Sequence, residues 1–422
     1  MRDSDAVLTP AERSAWEHRW DEAEKRLGAP SLQALMRLCR YYGTELFSWL
    51  ASLYDAETGC FYYSISARDT EGFLPDSEST AQTLSMLSFV GMLAHVDGSY
   101  LRAFSQETAE RCRGYISSLQ DSGDGYFYHP QWGKRIGSSR KGRDLAQCLE
   151  LIRKFGGTPP YPTALERLER LSEDRNSSVM PPHLVSREAM LAYLDRLDVT
   201  HDSHSAGHII SSQSAQIRSA GLAELVLSYF DSCQNSETGL WEEGASYRSL
   251  SGVVKIGSFY GSCGVPIRHG DRAFESAISV ILSDEDPTYI NYVYNPWGAL
   301  GTIMRSIRSE SRVGKGHGED AALARLLEAF PAMIDKTIEK LDKFRWGDGG
   351  FSYLQSGSAP TTQGVPVSLG LPEGDVNGTA CALHYTLNAI FSALDIQTVP
   401  LCHRGHFEEF LEKMSTVSGK KV

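Results

Sequence analysis

Long apolar runs are missing from this sequence. No stretch approaches the roughly 20 consecutive apolar residues that a membrane-spanning helix needs. The first segment, 1–20, is charged and lacks the apolar core of a secretory signal peptide. We therefore expect a cytoplasmic protein without a membrane span.

Positive charge and paired cysteine motifs are also scarce. Lysine and arginine number 41 against 53 acidic residues, a net charge of -12, which provides no electrostatic footprint for a phosphate backbone. The 8 cysteines form no CxxC pair and lie in apolar segments, as reduced core thiols do. We expect no nucleic-acid partner, no disulfide framework and no structural zinc, and we assign no cofactor.

Histidine does cluster, in the segment THDSHSAGH, where His201, His204 and His208 lie close to Asp202. This composition resembles that of metal sites. The segment falls in a predicted loop, 198–212, that joins two helical hairpins. We therefore expect it at the end of the fold opposite the long loops, and we assign no metal site.

Glycine is abundant, with 38 residues, and part of it forms a repeat. Four times an aromatic residue stands two positions after a glycine, and each time a long amphipathic segment precedes this pair. Self-similarity at a spacing of tens of residues indicates stacked or ringed supersecondary units. The segments are DAETGCFYYS (55–64), DSGDGYFYHP (121–130), NSETGLWEEG (235–244) and WGDGGFSYLQ (346–355). The aromatic residues of the repeat, which we expect in the core, are Phe61, Phe127, Trp241 and Phe351.

Helical periodicity surrounds these glycine turns. An amphipathic segment precedes each turn, and a segment that is apolar on nearly all sides follows it, for example 377–394. Because a helix that is apolar all round must be buried all round, we expect the second helix of each hairpin to be the inner one. Two further hairpins, 163–197 and 273–307, bring the number to about six, which predicts an all-α fold closed into an α/α toroid.

The chain divides accordingly into three parts. Pro10 and Pro30 mark the starts of two extra helices. The long, aromatic loops within hairpins share an end with the inner-helix N-termini, and because loops carry function on a rigid scaffold, we expect the site at that end. The parts are N-terminal accessory helices (1–44), the toroid (45–396), and a C-terminal helix and tail (397–422).

The turns also resemble repeats of a known superfamily. QDSGDGYF from Gln120 and QNSETGLW from Gln234 resemble the glutamine/tryptophan repeat of squalene and hopene cyclases. ASLYDAETGCFYYS and PDSESTAQTLSML resemble a repeat of protein prenyltransferase β subunits. Over about 45–394 the resemblance implies the α/α toroid of the terpenoid cyclase and protein prenyltransferase superfamily. The zinc ligands and the catalytic acid of those enzymes have no counterpart, since the last inner helix begins DVNG at Asp375 and the run DED at Asp284 lies in a loop.

Carboxylates at the starts of inner helices are the candidate catalytic groups. Asp76 and Glu78 open the first inner helix and Asp375 opens the last, so ring closure would bring them together. Glu242 follows the third glycine turn. Glycoside hydrolysis uses two carboxylates, one to protonate the leaving oxygen and one to attack or to activate water. The alternative is that Asp76 and Asp375 are helix N-caps.

Aromatic and polar side chains at the same end are the candidate substrate-binding groups. Aromatic rings suit sugar faces and equally stabilise a carbocation. Arginines with tyrosines, an asparagine and a histidine would neutralise a uronate carboxylate, as an eliminating lyase requires. The alternatives are a solvated rim for the arginines and a core position for the histidine. The candidates are Tyr63, Arg68, Tyr128, Trp132, Arg143, Arg248, Tyr294, Trp297, Tyr353, Asn377 and His384.

Together these patterns favour a carbohydrate-active enzyme of the glycoside hydrolase or lyase type, acting on a small molecule or oligosaccharide in a central cavity. One alternative is a prenyltransferase-like or terpenoid-cyclase-like enzyme or an isoprenoid binder. Another is a non-catalytic toroid that serves as a scaffold. The oligomeric state stays open.

Overall fold

The protein is mostly helical, which confirms the helical class predicted from the sequence. A computed structural model describes residues 9–167, 181–312 and 318–417. Within these ranges the strands are limited to two short antiparallel pairs. The pairs are β1 (Tyr54–Asp55) with β2 (Cys60–Phe61), and β3 (Thr361–Thr362) with β4 (Val365–Pro366).

The N-terminal helical segment consists of two stretches. They meet at Gly28, whose φ of 71° lies in the left-handed region. Pro30 follows two residues later, where its fixed φ and missing N–H suit the first turn of a helix. The helices of this part of the chain are α1 (Pro10–Tyr41), α2 (Glu45–Ser52), α3 (Ile65–Asp69), α4 (Ser77–Phe89), α5 (Tyr100–Ala103), α6 (Gln106–Ser118) and α7 (Ser138–Lys154).

The second part of the chain, from Arg187 onward, is also mostly helical. A π-helical turn, Cys381–Tyr385, joins two α-helical stretches without a break. The helices are α8 (Arg187–Leu194), α9 (Ser203–Ser211), α10 (Ser214–Ser219), α11 (Ala223–Cys233), α12 (Tyr247–Cys263), α13 (Gly270–Leu282), α14 (Asn291–Arg312), α15 (Gly318–Asp342), α16 (Val376–Ala380), α17 (Thr386–Leu394) and α18 (Arg404–Thr416).

The four glycine turns share one construction. The repeat glycines Gly59, Gly125, Gly239 and Gly349 have φ values of 72°, 78°, 69° and 100°, which other residues rarely adopt. A Cβ atom on Gly239 would lie 2.3 Å from the backbone nitrogen of Ala273, in the first turn of α13. The turn therefore needs glycine both for its backbone conformation and for its close packing against the next helix.

The aromatic residue that follows each of these glycines is buried. Trp241, for example, donates its indole N–H to the carbonyl oxygen of Phe230 at 3.0 Å. The predicted core position of the repeat aromatics is confirmed for Phe61, Phe127, Trp241 and Phe351.

Helices from successive hairpins pack in a continuous series. In order of contact the series is α7, α4, α16 with α17, α14, α12 and α9. The last pair approaches closely because glycines face the partner helix: a Cβ on Gly207 would meet Lys255 and Ile256, and one on Gly252 would meet Ser203.

The first and last glycine turns belong to distant parts of the sequence and meet in space. Val376, at the start of α16, donates its backbone N–H to the carbonyl oxygen of Tyr63 at 2.9 Å, and Ser64 forms an antiparallel bridge with Asp375. A Cβ on Gly349 would lie 3.1 Å from the carbonyl oxygen of Glu45, in the first turn of α2.

The histidine segment departs from expectation. Residues predicted to form a loop at the far end instead form α9, whose first residue, Ser203, donates its backbone N–H to Glu242 beside the third glycine turn. The predicted hairpin boundary at 197 and the predicted position of the segment are therefore wrong. The prediction failed because the segment is rich in polar residues, as loops are. It nevertheless forms a helix with one buried face, which contains Ala206, Gly207 and Ile210. Part of the predicted hairpin, 168–180, lies outside the described residues.

The C-terminal helix α18 packs against α2. The predicted tail, 418–422, and the first residues of the chain, 1–8, lie outside the described part of the protein. Of the helices that the structure does describe, none combines the length and the apolar character needed to cross a membrane.

Candidate functional site

Two of the predicted catalytic carboxylates lie in a buried cluster around Arg140. The guanidinium of Arg140 donates Nη1–H to Glu78 Oε2 at 2.9 Å and contacts Asp144 Oδ1 through Nη2 at 2.7 Å. It also lies over the indole ring of Trp132, 4.9 Å from the ring centre. Bidentate pairing and stacking of this kind suit arginine and not lysine. Burial raises the pKa of Asp144 to about 6, a shift that the charge of Arg140 opposes.

Glu78 and Asp76 have their oxygens occupied. Arg143 donates to Glu78 Oε1, and the hydroxyl of Thr362 donates to Glu78 Oε2 at 3.2 Å. Asp76 is the N-cap of α4, because its Oδ1 accepts the backbone N–H of Ser79 at 2.9 Å and its Oδ2 accepts the Ser79 hydroxyl at 2.7 Å. Both carboxylates are buried, so neither presents an oxygen to a substrate.

Asp375 is a second buried N-cap. Its carboxylate accepts three backbone N–H groups, from Gly378 at 2.6 Å, Tyr353 at 2.8 Å and Ala359 at 3.2 Å. Burial raises its pKa to about 6, and these hydrogen bonds oppose the shift. The carboxylate therefore fastens the loop before α16 to the helix start.

Tyr63 joins these acidic groups. Burial raises the pKa of its hydroxyl well above the usual value, and the charges of Asp375, Glu78 and Asp76 add to the increase. The structure thus brings three of the four predicted catalytic carboxylates together around one tyrosine.

Glu242, the fourth carboxylate, has a separate role. Its Oε1 accepts both the backbone N–H of Ser203 at 2.9 Å and the Ser203 hydroxyl at 2.6 Å, and its Oε2 lies 3.2 Å from Arg248 Nε. Arg248 also donates to the carbonyl oxygen of His201. Glu242 and Arg248 therefore hold the start of α9 against the third glycine turn.

A second group of polar side chains comes from α4, α7, α14, α16 and the π-helical turn. Gln82 is buried, Arg143 is exposed, and the others are partly buried. Gln82 donates from Nε2 to Asn377 Oδ1 at 2.9 Å, which directs the amide hydrogens of Asn377 away from Gln82. Burial raises the pKa of the Tyr385 hydroxyl to about 12, and the nearby Gln82 side chain opposes this increase. The ring of Tyr294 lies 5.6 Å from that of Tyr385.

His384 and Arg143 complete this group. The His384 ring lies 5.3 Å from Tyr385 and 4.4 Å from Phe89. Burial lowers the pKa of His384 to about 4, and the charge of Lys154 adds to the decrease, so the ring is neutral near pH 7. The side chain of Arg143 is 41% exposed and acts on the pKa values of both Tyr294 and Tyr385. We call Gln82, Arg143, Tyr294, Asn377, His384 and Tyr385 the inner-face group.

Two of these side chains come from the π-helical turn, and their ring centres lie 5.3 Å apart. The turn contains both His384 and Tyr385, adjacent in sequence, and widens the helix at that point. Such turns occur frequently at functional sites. Sequence reasoning missed Tyr385 and Gln82, although Gln82 follows Glu78 by one helical turn.

Three other predicted binding residues lie elsewhere. Trp297 is completely buried and donates its indole N–H to Thr337 Oγ1 at 3.0 Å, so it belongs to the core. Arg68 donates to the carbonyl oxygen of Ser52 at 2.8 Å and pairs with its neighbour in sequence. Tyr128 donates its hydroxyl to Asp124 at 2.7 Å.

Trp132 and Tyr353 contact other aromatic residues at the loop end. Trp132 stacks on His129 with ring centres 4.1 Å apart, and Tyr353 lies 6.0 Å from Tyr289. Neither ring is fully buried.

A cavity of about 590 Å³ lies apart from all these residues, between α1, α2 and α18. Its lining includes Trp16, Tyr42, Phe47, Cys402 and His406 and none of the residues predicted for the site. The part of the chain with described positions contains no group of three or more histidine, cysteine, aspartate or glutamate side chains placed to hold a metal ion. Comparison of the chain with known protein families, with curated proteins and with solved structures finds no match.

Proposed function

We propose that the helical hairpins close into an α/α toroid and that the inner-face group binds an acidic oligosaccharide and cleaves it by elimination. Contacts between distant parts of the chain support closure of the ring. The backbone N–H of Val376 donates a hydrogen bond to the carbonyl oxygen of Tyr63, and Gly349 packs against Glu45. The series of packed helices that begins with α7 and ends with α9 would form the inner wall of the toroid. In such a ring the inner-face group would point into the central space.

The state of the carboxylates carries this proposal. Hydrolysis by two carboxylates requires one to act as an acid and the other as a base or nucleophile at the sugar. Here Asp76 and Asp375 cap helices, Glu78 pairs with two arginines, and Glu242 holds Ser203. The side chains left to face a ligand are neutral or cationic. That combination favours elimination from a uronate, which needs its carboxylate neutralised and needs no carboxylate from the protein.

The chemistry divides among four side chains. Arg143 and the amide hydrogens of Asn377 bind the uronate carboxylate. Neutral His384 accepts the proton from the carbon next to that carboxylate, and the electron pair of the broken C–H bond forms a carbon–carbon double bond. The bond to the glycosidic oxygen breaks, and the Tyr385 hydroxyl donates its proton to the leaving oxygen. Proton exchange with water then restores both side chains.

The test is incubation of the whole protein with a panel of oligouronides, with neutral oligosaccharides as the comparison. An unsaturated uronate product absorbs in the ultraviolet and is identified by mass spectrometry. We expect product from at least one oligouronide, and a fall in rate of about a hundredfold or more in Asn377→Ala and Tyr385→Phe. The matched variant Tyr128→Phe, at the same end but outside the inner-face group, should keep the rate. Equal rates in all three variants would remove the inner-face group from the reaction.

A second candidate rests on a row of tyrosines at the loop end. Tyr247 stacks on Tyr292 at 5.3 Å, Tyr292 meets Tyr289 at 5.6 Å, and Tyr289 meets Tyr353 at 6.0 Å. Aromatic faces stabilise carbocations, which suits an isoprenoid ligand. A ligand that binds only the folded state raises its melting temperature, so thermal shift separates the cases. Stabilisation by a prenyl diphosphate and by no oligouronide would favour this candidate, and stabilisation by neither class would favour a scaffold.

A further inference from the structure

A cluster of basic side chains lies on α9 and α12, away from the inner-face group. His204 and His208 are four residues apart on the exposed face of α9, so their rings share one side of the helix. The close approach at Gly207 places the Cβ of Lys255 beside the backbone of α9. Close packing of two helices thus gathers three basic side chains in one place.

Few negative charges offset this cluster. Glu242 has both oxygens engaged by Ser203 and Arg248. Asp202 acts as the N-cap of α9, where it accepts the backbone N–H of Ser205 at 3.2 Å. Across the ranges that the structure describes, no carboxylate forms an ion pair with His204, His208 or Lys255.

The pKa of His204 responds both to desolvation and to the charges around it. Although His204 is exposed, partial desolvation of its ring is the first cause of its lowered pKa, followed by Lys255 and His208, while Asp202 and Glu242 oppose the change. The decrease persists, so the neighbouring positive charges and desolvation outweigh the two carboxylates. An anion bound beside the ring would favour the protonated imidazole and would therefore raise the pKa of His204.

We propose that His204, His208 and Lys255 form an oxyanion subsite, which takes a sulfate or phosphate ester group carried by the ligand. The lysine supplies a point charge, and the two imidazoles supply N–H donors that become charge-assisted when an anion is bound. This assignment rests on the proposed function only in that the group belongs to an acidic sugar. The subsite itself is tested with inorganic ions.

The experiment titrates inorganic sulfate and, separately, inorganic phosphate into the whole protein at constant ionic strength, with calorimetry as the readout. We expect saturable binding, weakened about tenfold or more in Lys255→Met and in His208→Gln. The control Arg325→Gln removes an exposed arginine on α15 that already pairs with Glu275, and it should leave affinity unchanged. Lys255 and His208 are not fully buried, and unfolding curves of each variant confirm that it folds.

Nuclear magnetic resonance of the histidines supplies a readout that a merely structural role would not move. The pKa of His204 should rise when sulfate is added, and the rise should disappear in Lys255→Met. Equal affinity in all variants, or an unchanged pKa for His204, would overturn the subsite.

Failure of this inference and failure of the proposed function are distinguishable. Asn377→Ala should lose elimination and keep sulfate binding. If sulfate does not bind and oligouronides are still cleaved, only the subsite is lost. If sulfate binds as expected and no sugar is cleaved, sulfated and phosphorylated sugars tested in the calorimeter identify which ester group the subsite prefers.

Discussion

The backbone N–H of Val376 donates to the carbonyl oxygen of Tyr63 at 2.9 Å, which joins the start of α16 to the first glycine turn. The bridge between Ser64 and Asp375 lies directly beside it. Asp375 therefore sits where the first and last glycine turns meet, and its three backbone hydrogen bonds hold the neighbouring loop. Asp375 thus stabilises the fold, and the loss of stability in an alanine variant measures its contribution.

Asp375→Ala should destabilise the protein by about 3 kcal/mol or more, because it leaves three buried N–H groups without an acceptor. Asp202→Ala is the matched control, since Asp202 also caps a helix but accepts a single backbone N–H in a half-buried position. It should cost about 1 kcal/mol. Urea unfolding of both variants gives the comparison. Similar losses would show that Asp375 does no more than an ordinary cap.

Gly239→Ala should destabilise the protein far more than Gly244→Ala. Both glycines have positive φ, 69° and 73°, so alanine meets similar backbone strain of about 1 kcal/mol at each. The new Cβ would collide with the backbone of α13 at Gly239 and meets open space at Gly244. We expect a total loss of about 3 kcal/mol or more for Gly239→Ala. Equal losses from chemical denaturation would mean that backbone strain alone explains the glycine.

Arg140→Met should cost about 3 to 5 kcal/mol, because it leaves Glu78 and Asp144 buried with too little positive charge. Arg143→Met removes an arginine that is 41% exposed from the same glutamate, and it should cost about 1 kcal/mol or less. The effects on cleavage should follow the opposite order. Arg143→Met should lower the rate of oligouronide cleavage more than Arg140→Met does, because Arg143 belongs to the inner-face group. Unfolding curves together with oligouronide cleavage test the pair. A stable Arg140→Met protein would contradict the buried cluster.

The glycine repeat could be predicted from the sequence because its causes are local. The repeat consists of a glycine with a left-handed backbone conformation and a buried aromatic residue two positions later, so residues close together in the sequence determine it. Gly239 and Trp241 are one example. The N-cap alternative for Asp76 was equally accessible, since the capping group and the helix start are neighbours.

The partners of the carboxylates could not be predicted, because they come from distant positions. Glu78 meets Arg140 from the second hairpin and Thr362 from the last long loop. The helix α9 was missed for a related reason: its polar residues resemble a loop, and its burial depends on the glycine contact between Gly207 and α12. Local pattern gives no information about a neighbour that the chain supplies much later.

His384 should make the protein less stable as the pH falls. Burial lowers its pKa from 6.5 to about 4, so between these values the unfolded chain binds a proton that the folded chain does not. The free energy of unfolding therefore decreases as the pH drops through this window, and the effect is absent above it. Asp144 and Asp375, whose pKa values are raised to about 6, act in the opposite direction over nearly the same range.

Comparison with His384→Gln isolates the histidine, because the two aspartates are present in both proteins and their contributions cancel in the difference. We expect the wild-type protein to lose stability relative to His384→Gln as the pH falls from 6.5 toward 4, and the difference to be constant above that range. Urea unfolding at several pH values measures the difference, and nuclear magnetic resonance titration of the imidazole measures the pKa directly. A wild-type curve parallel to that of the variant would mean that His384 titrates alike in the folded and unfolded chains. Its ring would then be protonated over part of the range in which the elimination proposal requires a neutral base.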